Sequence, residues 1–197
     1  MTNEHEDGMD QSTVLDVFRE CGALLEGHFR LTSGLHSSGY LQCALVLQHP
    51  THAEALGRAL AAKFDREKAT VVLSPALGGL IIGHEVARAL GVRAIFAERQ
   101  DAALTLRRGF SLSPADRVVV IEDVVTTGGS TRETMAVARA AGATVVGAGA
   151  IIDRSGGAST LDVPFHALAA LALPTHRPEA CPLCASDMPV TKPGSRA

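Results

Sequence analysis

The sequence predicts an α/β protein built on a parallel sheet with helices on both of its faces. Short, mostly apolar segments recur at residues 71–73, 92–97, 117–121 and 144–152, as expected of strands buried on both sides. Stretches with helical spacing separate them, and Gly91 and Gly142 stand where two of those helices would end. The chain has 197 residues, 46% of them hydrophobic, with nineteen glycines, which suits one domain with a sizeable core.

The elements follow in order. Residues 1–11 open with four acids and no basic residue, and are expected to fray. Ser12 reads as the N-cap of a first helix bearing Val14, Leu15, Phe18, Leu24 and Leu25. Residues 27–38 show no clear period, and residues 40–47 read as a strand. Pro50 and Thr51 open a second helix with Leu56, Leu60 and Phe64 on one face. The strand at 71–73 leads through Ser74-Pro75-Ala76-Leu77-Gly78-Gly79 into a helix ending at Leu90, and 92–97 is the next strand. Residues 98–110 read as a polar connection, long enough to be functional or mobile. A strand at 117–121, a helix at 131–141 and a strand at 144–152 follow, and residues 165–173 add another strand. Residues 12–173 thus form the domain, and residues 174–197 a Pro-rich extension. Right-handed crossovers place ligands at the carboxyl ends of the strands.

Charge excludes several classes of function. Lys and Arg number 18 against 21 Asp and Glu, a net charge of −3, which argues against nucleic-acid or membrane-surface partners. Only Lys63, Lys68 and Lys192 are lysines, so fifteen of the cations are arginines. No apolar run approaches a membrane span, and the chain start lacks the pattern of a signal or transit peptide. Four cysteines are too few for a disulfide scaffold. A cytoplasmic location is expected.

The stretch that carries chemistry is Val118-Val119-Val120-Ile121-Glu122-Asp123-Val124-Val125-Thr126-Thr127-Gly128-Gly129-Ser130-Thr131. An apolar strand delivers two carboxylates at its carboxyl end, and a Thr/Gly/Ser turn then opens a helix. Gly128 and Gly129 let backbone N–H groups approach a phosphate. The helix N-terminus and the hydroxyls of Thr126, Thr127, Ser130 and Thr131 add to that cradle. Glu122 and Asp123 repel a bare phosphate, so they should face hydrogen-bond donors or a metal, as ribose hydroxyls or Mg²⁺ would provide. Together these features read as a ribose-5-phosphate site. A Walker loop needs a lysine that is absent here, and Gly147-Ala148-Gly149 lacks the third glycine of a dinucleotide fingerprint.

On this stretch the chain resembles type I phosphoribosyltransferases, whose signature for phosphoribosyl diphosphate (PRPP) it carries. Further segments narrow the resemblance to the orotate phosphoribosyltransferase family. They are Gly27-His28-Phe29-Arg30-Leu31-Thr32-Ser33-Gly34-Leu35-His36-Ser37, Tyr40-Leu41-Gln42, Ser74-Pro75-Ala76-Leu77-Gly78-Gly79, Phe96-Ala97-Glu98-Arg99 and Leu106-Arg107-Arg108-Gly109-Phe110. Ile152-Asp153-Arg154, Cys181-Pro182-Leu183-Cys184 and Lys192-Pro193-Gly194-Ser195-Arg196 resemble one branch of it.

The resemblance implies a Rossmann-like parallel sheet with a small N-terminal hood and a C-terminal extension. It implies transfer of the 5-phosphoribosyl group from PRPP to orotate, giving orotidine 5′-monophosphate and pyrophosphate in de novo pyrimidine biosynthesis. Mg²⁺ would be held mainly through PRPP, with no protein ligand assigned. Glu122, Asp123, Val124, Val125, Thr126, Thr127, Gly128, Gly129 and Ser130 would hold ribose and 5-phosphate. Thr126 and Arg154 would meet orotate, Arg154 by pairing its planar fork with the carboxylate. Residues 74–79 would wrap the pyrophosphate. Arg99 would be the catalytic cation, also touching PRPP, on a mobile loop at residues 98–110 that reaches the neighbouring site of a homodimer. The alternatives are a phosphoribosyltransferase acting on a purine, or a catalytically inactive PRPP-fold regulator.

The chain also departs from the family pattern. Many relatives carry lysine where Thr32 and Gly78 stand, and lysine and histidine in the loop that here reads Gln100-Asp101-Ala102-Ala103-Leu104. His28 and His36 read as organising their segment, and His84 as a packing or surface residue. Cys181 and Cys184 have the spacing of half a zinc knuckle, but no second cysteine pair is present. They are read as a tight turn with free thiols. Zinc held with His176, or shared between two chains, is the alternative.

Overall fold

The computed structural model describes residues 9–31, 34–65, 68–101, 103–158 and 160–192. Helix α1 spans Gln11–Glu20 and buries Val14 and Phe18. Its N-cap is Asp10, whose carboxylate accepts from the Thr13 backbone N–H at 2.8 Å, while the Ser12 hydroxyl donates to that same carboxylate. The expected Ser12 cap is therefore two residues late, because an ionised carboxylate serves the first-turn N–H groups better than a hydroxyl does. Residues 1–8 of the acidic start lie outside the described residues.

The helix stops at Cys21, followed by Gly22 at a positive φ of 62°, so Leu24 and Leu25 do not extend it as expected. They begin β1 (Leu24–Arg30), which pairs antiparallel with β2 (His36–Leu41). A register shift between Glu26 and Phe29 turns both His28 and Phe29 inward, which removes the alternation that marks a half-buried strand. The strand expected at 40–47 ends at Leu41. Cys43–Leu47 is instead the short helix α2, with Cys43, Val46 and Leu47 buried. Helix α3 spans Pro50–Ala61 and buries Leu56 and Leu60 as expected, but Phe64 lies beyond its end and not on its face.

The second half follows the predicted alternation. Its elements are β3 (Val71–Pro75), α4 (Gly79–Leu90), β4 (Arg93–Gln100), β5 (Ala103–Leu106), β6 (Arg117–Val125), α5 (Gly129–Ala140), β7 (Thr144–Asp153) and β8 (Phe165–Ala170). They form a six-stranded sheet in the order β5-β4-β3-β6-β7-β8, parallel except for the β4–β5 pair. Neighbouring residues of a strand serve opposite faces. Val72, Val119 and Ile121 pack into a core with Val14, Phe18, Leu56 and Leu60. Val71, Leu73, Val118 and Val120 pack with Met135 and Ala138 of α5. Gly147 and Gly149 seat the Phe64 ring, since a Cβ on Gly149 would stand 2.9 Å from it; close packing, not a nucleotide, explains that Gly-Ala-Gly.

Residues 98–110 correct an expectation. The first part is not an irregular connection but a hairpin, in which Glu98 to Gln100 complete β4 and pair with Ala103 to Thr105 of β5; residues 107–110 are irregular, as expected. Ladder bonds between backbone groups hold this sheet edge, so side-chain periodicity gives no sign of it.

The C-terminal extension folds back onto the hood. Thr175–His176 (β9) pairs with β2, the Ser37 hydroxyl donates to the Pro174 carbonyl, and the Arg30 N–H donates to the Thr191 carbonyl while the Thr191 N–H donates to the His28 carbonyl. This brings Cys181 and Cys184, both free thiols as expected, against His28 and His36, neighbours that the sequence reading did not foresee. Residues 193–197, like Thr32, lie outside the described residues. No helix among the described residues is long and apolar enough to cross a membrane.

Candidate active site

Two helices begin at the carboxyl ends of two adjacent strands. Strand β3 runs through Ser74 and Pro75 into α4, and β6 runs through Glu122 to Val125 into the turn that opens α5. Each helix presents unpaired backbone N–H groups and the positive end of its dipole. Gly128, at φ 74°, forms the α5 N-cap, a left-handed conformation that suits glycine. The Thr127 carbonyl accepts from the Arg132 side chain at 2.8 Å, which holds the turn from its far side. Thr126, Thr127, Gly129 and Ser130 are exposed, and Thr131 is buried. The result is two anion-binding helix ends side by side.

The carboxylates sit between them. Glu122 is buried, and the Ser130 hydroxyl donates to it at 2.5 Å. Burial pushes its pKa up to about 7; the Ser130 bond opposes that rise and the Asp123 charge reinforces it. Asp123 is half-buried, accepts from the Val124 N–H at 2.9 Å and is also pushed up by burial. Across from it Gly78 lies so close that a Cβ there would be 2.7 Å from both Asp123 carboxylate oxygens. The loop of residues 74–79 thus rests directly on the Asp123 carboxylate. Within it the Ala76–Leu77 peptide is cis, the Ala76 N–H bonds to the Ala97 carbonyl, and Leu77 is 82% exposed. The Ser74 hydroxyl is buried under α4 without a hydrogen-bond partner, as is the Thr131 hydroxyl at the start of α5.

Arg154 completes the group. Its backbone N–H bonds to the Val125 carbonyl at 2.7 Å, placing it beside the residue that precedes Thr126. The side chain is half-buried, and its Nε–H is buried without an acceptor among the described residues. Burial lowers its pKa. Cys43 lies close enough to feel the charges of Asp123, Arg154 and Glu122, and burial pushes its thiol well up. Sequence reasoning missed Cys43 because it read α2 as a strand. The apolar spacing of Cys43, Val46 and Leu47 was the available signal, and it is too short to separate helix from strand.

The structure therefore gathers Glu122, Asp123, the 126–130 turn, the 74–79 loop and Arg154 into one region. Arg99 is placed differently. It lies on β4, and its guanidinium pairs with Glu133 of α5 at 2.7 Å. The other Glu133 oxygen accepts from the Leu104 N–H at 2.8 Å, so one carboxylate joins α5 to both strands of the hairpin. Arg108 is paired with Glu98 through two bonds of 2.7 and 2.8 Å.

The family description "phosphoribosyl transferase domain" matches residues 45–168. The chain is 54% identical to orotate phosphoribosyltransferase of Pelotomaculum thermopropionicum over 188 residues, covering 95% of this chain and 99% of that one. It is 50% identical to the enzyme of that name from Chlorobium phaeobacteroides, covering 96% and 98%. Among solved structures, orotate phosphoribosyltransferase from Aeropyrum pernix superposes with a TM-score of 0.68 at 27% identity, covering 80% of this chain and 93% of that one. The chain belongs to the phosphoribosyltransferase family, on its orotate phosphoribosyltransferase branch.

Proposed function

We propose that this chain transfers the 5-phosphoribosyl group of PRPP to a ring nitrogen of orotate, releasing pyrophosphate and forming orotidine 5′-monophosphate, the precursor of UMP. The observation that carries the reading is Arg154. A half-buried guanidinium with an unpartnered Nε–H, fixed beside the phosphate-binding turn, calls for a planar anion. Neutral purines offer none.

The remaining residues fit the same chemistry. The turn at 126–130 and the α5 N-terminus receive the 5-phosphate. Glu122 and Asp123, when ionised, accept from the ribose hydroxyls. The 74–79 loop and the α4 N-terminus receive the diphosphate. As the anomeric C–O bond breaks, the sugar becomes oxocarbenium-like and negative charge builds on the leaving diphosphate. Donors already aimed at that position lower the barrier because they need no reorganisation.

Mg²⁺ belongs to this reading. The chain offers two adjacent carboxylates and no closed oxygen cage among the described residues, which fits a hard cation carried mainly by substrate phosphates. Bound there, Mg²⁺ would neutralise the leaving diphosphate, with Asp123 and Glu122 the carboxylates at hand. A homodimer is part of the same reading. Supporting it are the exposed apolar side chains of Leu77 on the 74–79 loop and Ile81 in the first turn of α4. The β4–β5 hairpin is the element that would cross to the neighbouring site. Cysteines that form no disulfide fit a cytoplasmic location, where thiols stay reduced.

The test is an assay of the protein with PRPP, Mg²⁺ and orotate, following loss of orotate absorbance, with hypoxanthine, adenine and uracil in parallel. Turnover of orotate alone is expected. Absence of turnover with orotate, or preference for a purine, overturns the reading.

A further inference from the structure

Four ligand-type side chains from opposite ends of the chain converge away from the carboxylate pair. His28 and His36 come from the two strands of the hood hairpin, and Cys181 and Cys184 from the tail. Their ligand atoms all lie within 4.8 Å of one another. His28, His36 and Cys181 are buried, at 3%, 6% and 3% exposure, and Cys184 is half-buried. We propose that these four residues form a closed tetrahedral Zn²⁺ site that fastens the C-terminal tail to the hood.

The ligand set is that of a structural zinc site, with two imidazoles and two thiolates. In a tetrahedron with the usual Zn–N and Zn–S lengths, ligand atoms are separated by about 3.3–3.8 Å. Here Cys184 Sγ is 3.2 Å from His36 Nδ1 and 3.7 Å from His28 Nε2, and Cys181 Sγ is 3.6 Å from His28 Nε2. The two imidazole nitrogens are 2.8 Å apart, so that edge has to open by about 0.5 Å to admit the ion. Two thiolates balance the charge of Zn²⁺, leaving a neutral centre suited to burial. Loading releases one proton from each thiol, and nothing is oxidised.

The surroundings orient the ligands. His28 Nδ1 lies 2.7 Å from the Met188 carbonyl; donating there puts its proton on Nδ1 and leaves Nε2 with a free lone pair for a metal, the arrangement common to ligating histidines. Pro182 opens a one-turn helix in which the Ala185 N–H bonds to the Cys181 carbonyl at 3.1 Å, holding Cys181 and Cys184 on one side. The bulge in β1 turns His28 inward together with Phe29. His176, the third ligand considered from the sequence, sits opposite His36 on β9 and is not one of the four. His28 and Cys181 are 153 residues apart, and a metal clip across so long a span restricts the unfolded chain substantially.

The experiment measures zinc in full-length protein expressed without an affinity tag and purified without chelator, followed by Co²⁺ exchange. The expected result is one Zn²⁺ per chain. Co²⁺ should give the strong visible bands of a tetrahedral ion together with a thiolate charge-transfer band. Zinc should be lost in the Cys181→Ser/Cys184→Ser double variant and retained in Cys21→Ser. Mercurial titration should release zinc from the wild-type protein and lower its melting temperature. Wild-type protein that is folded and reduced yet binds neither Zn²⁺ nor Co²⁺ overturns the proposal. So does zinc that persists in the double variant, or a Cys181–Cys184 disulfide in protein kept under reducing conditions. The wild-type measurements stand even if the variants fold poorly.

Discussion

The Cα of Gly78 lies against the carboxylate of Asp123, with 2.7 Å between a Cβ placed on Gly78 and either carboxylate oxygen. This contact joins the loop after β3 to the end of β6, the two pieces that would hold opposite ends of PRPP. It also bears on the lysine that many relatives carry at this position: the room for that side chain is taken by Asp123.

Gly78→Ala should therefore displace the carboxylate, since 2.7 Å is closer than real Cβ contacts come. Asp123 is half-buried and cannot simply swing into solvent. We expect kcat/KM for PRPP to fall by about tenfold or more, roughly 1.4 kcal/mol of transition-state stabilisation. The melting temperature should change little, because no core group moves. Gly78→Lys should do no better than alanine. Steady-state kinetics with PRPP varied, beside a thermal melt, checks both; a fully active Gly78→Lys protein would show that Asp123 yields freely.

Arg154 should separate the two substrates. Arg154→Ala removes the cation proposed to meet the orotate carboxylate, so KM for orotate should rise about a hundredfold, as loss of a charge-assisted bidentate pair in a buried site implies. KM for PRPP should stay within about twofold. Arg154→Lys should not restore binding, since a point ammonium cannot reproduce the planar fork. Equal losses toward both substrates would make Arg154 a structural residue of the β7 end.

Glu122 gives a prediction in pH. Its pKa is raised from 4.5 to about 7, chiefly by burial, so the folded protein holds a proton that the unfolded chain has released. The stabilisation from that proton is complete below about pH 4.5 and is lost as pH rises through about 7. Activity runs the opposite way, because only the ionised carboxylate accepts from both ribose hydroxyls. kcat/KM for PRPP should fall with a single-proton slope below about pH 7, a value that reports the free enzyme. Glu122→Gln should abolish that limb, lower activity at pH 8 and flatten the pH dependence of stability in the same window. An unchanged acid limb in Glu122→Gln would assign it to another group.

The sequence makes some of this architecture legible and hides the rest for identifiable reasons. The 118–131 stretch is self-contained: strand, carboxylates, turn and helix start are contiguous, so the cradle can be read without knowing what packs on it. Gly91 and Gly142 mark helix ends through their own backbone conformations, with φ of 74° and 81°. The hood is different. Its alternation is broken where the bulge buries both His28 and Phe29, and its third strand arrives from residues 175–176. The tail cysteines find their histidine partners 148 residues or more away, across a distance no local pattern spans. The β4–β5 hairpin is held by backbone bonds, and the contact of Gly78 with Asp123 exists only once two strands lie side by side.

Arg99 and Glu133 supply the last test, which decides between two roles for one ion pair. The pair is 2.7 Å long and partly exposed, with the Arg99 side chain at 51% and Glu133 at 33%. Such a pair contributes about 0.2–1 kcal/mol to stability, so a purely structural role predicts that Arg99→Ala lowers the melting temperature slightly and leaves kcat unchanged. If Arg99 instead swings to the leaving diphosphate during turnover, Arg99→Ala should lower kcat by about ten- to a hundredfold, the scale of one lost electrostatic donor. Glu133→Gln separates the cases further. Its amide oxygen can still accept from the Leu104 N–H and keep the hairpin on α5, while the ionic hold on Arg99 is gone. A catalytic Arg99 then predicts kcat equal to or above wild type in Glu133→Gln, with near-complete loss in the double variant. A structural Arg99 predicts that all three variants turn over at the wild-type rate.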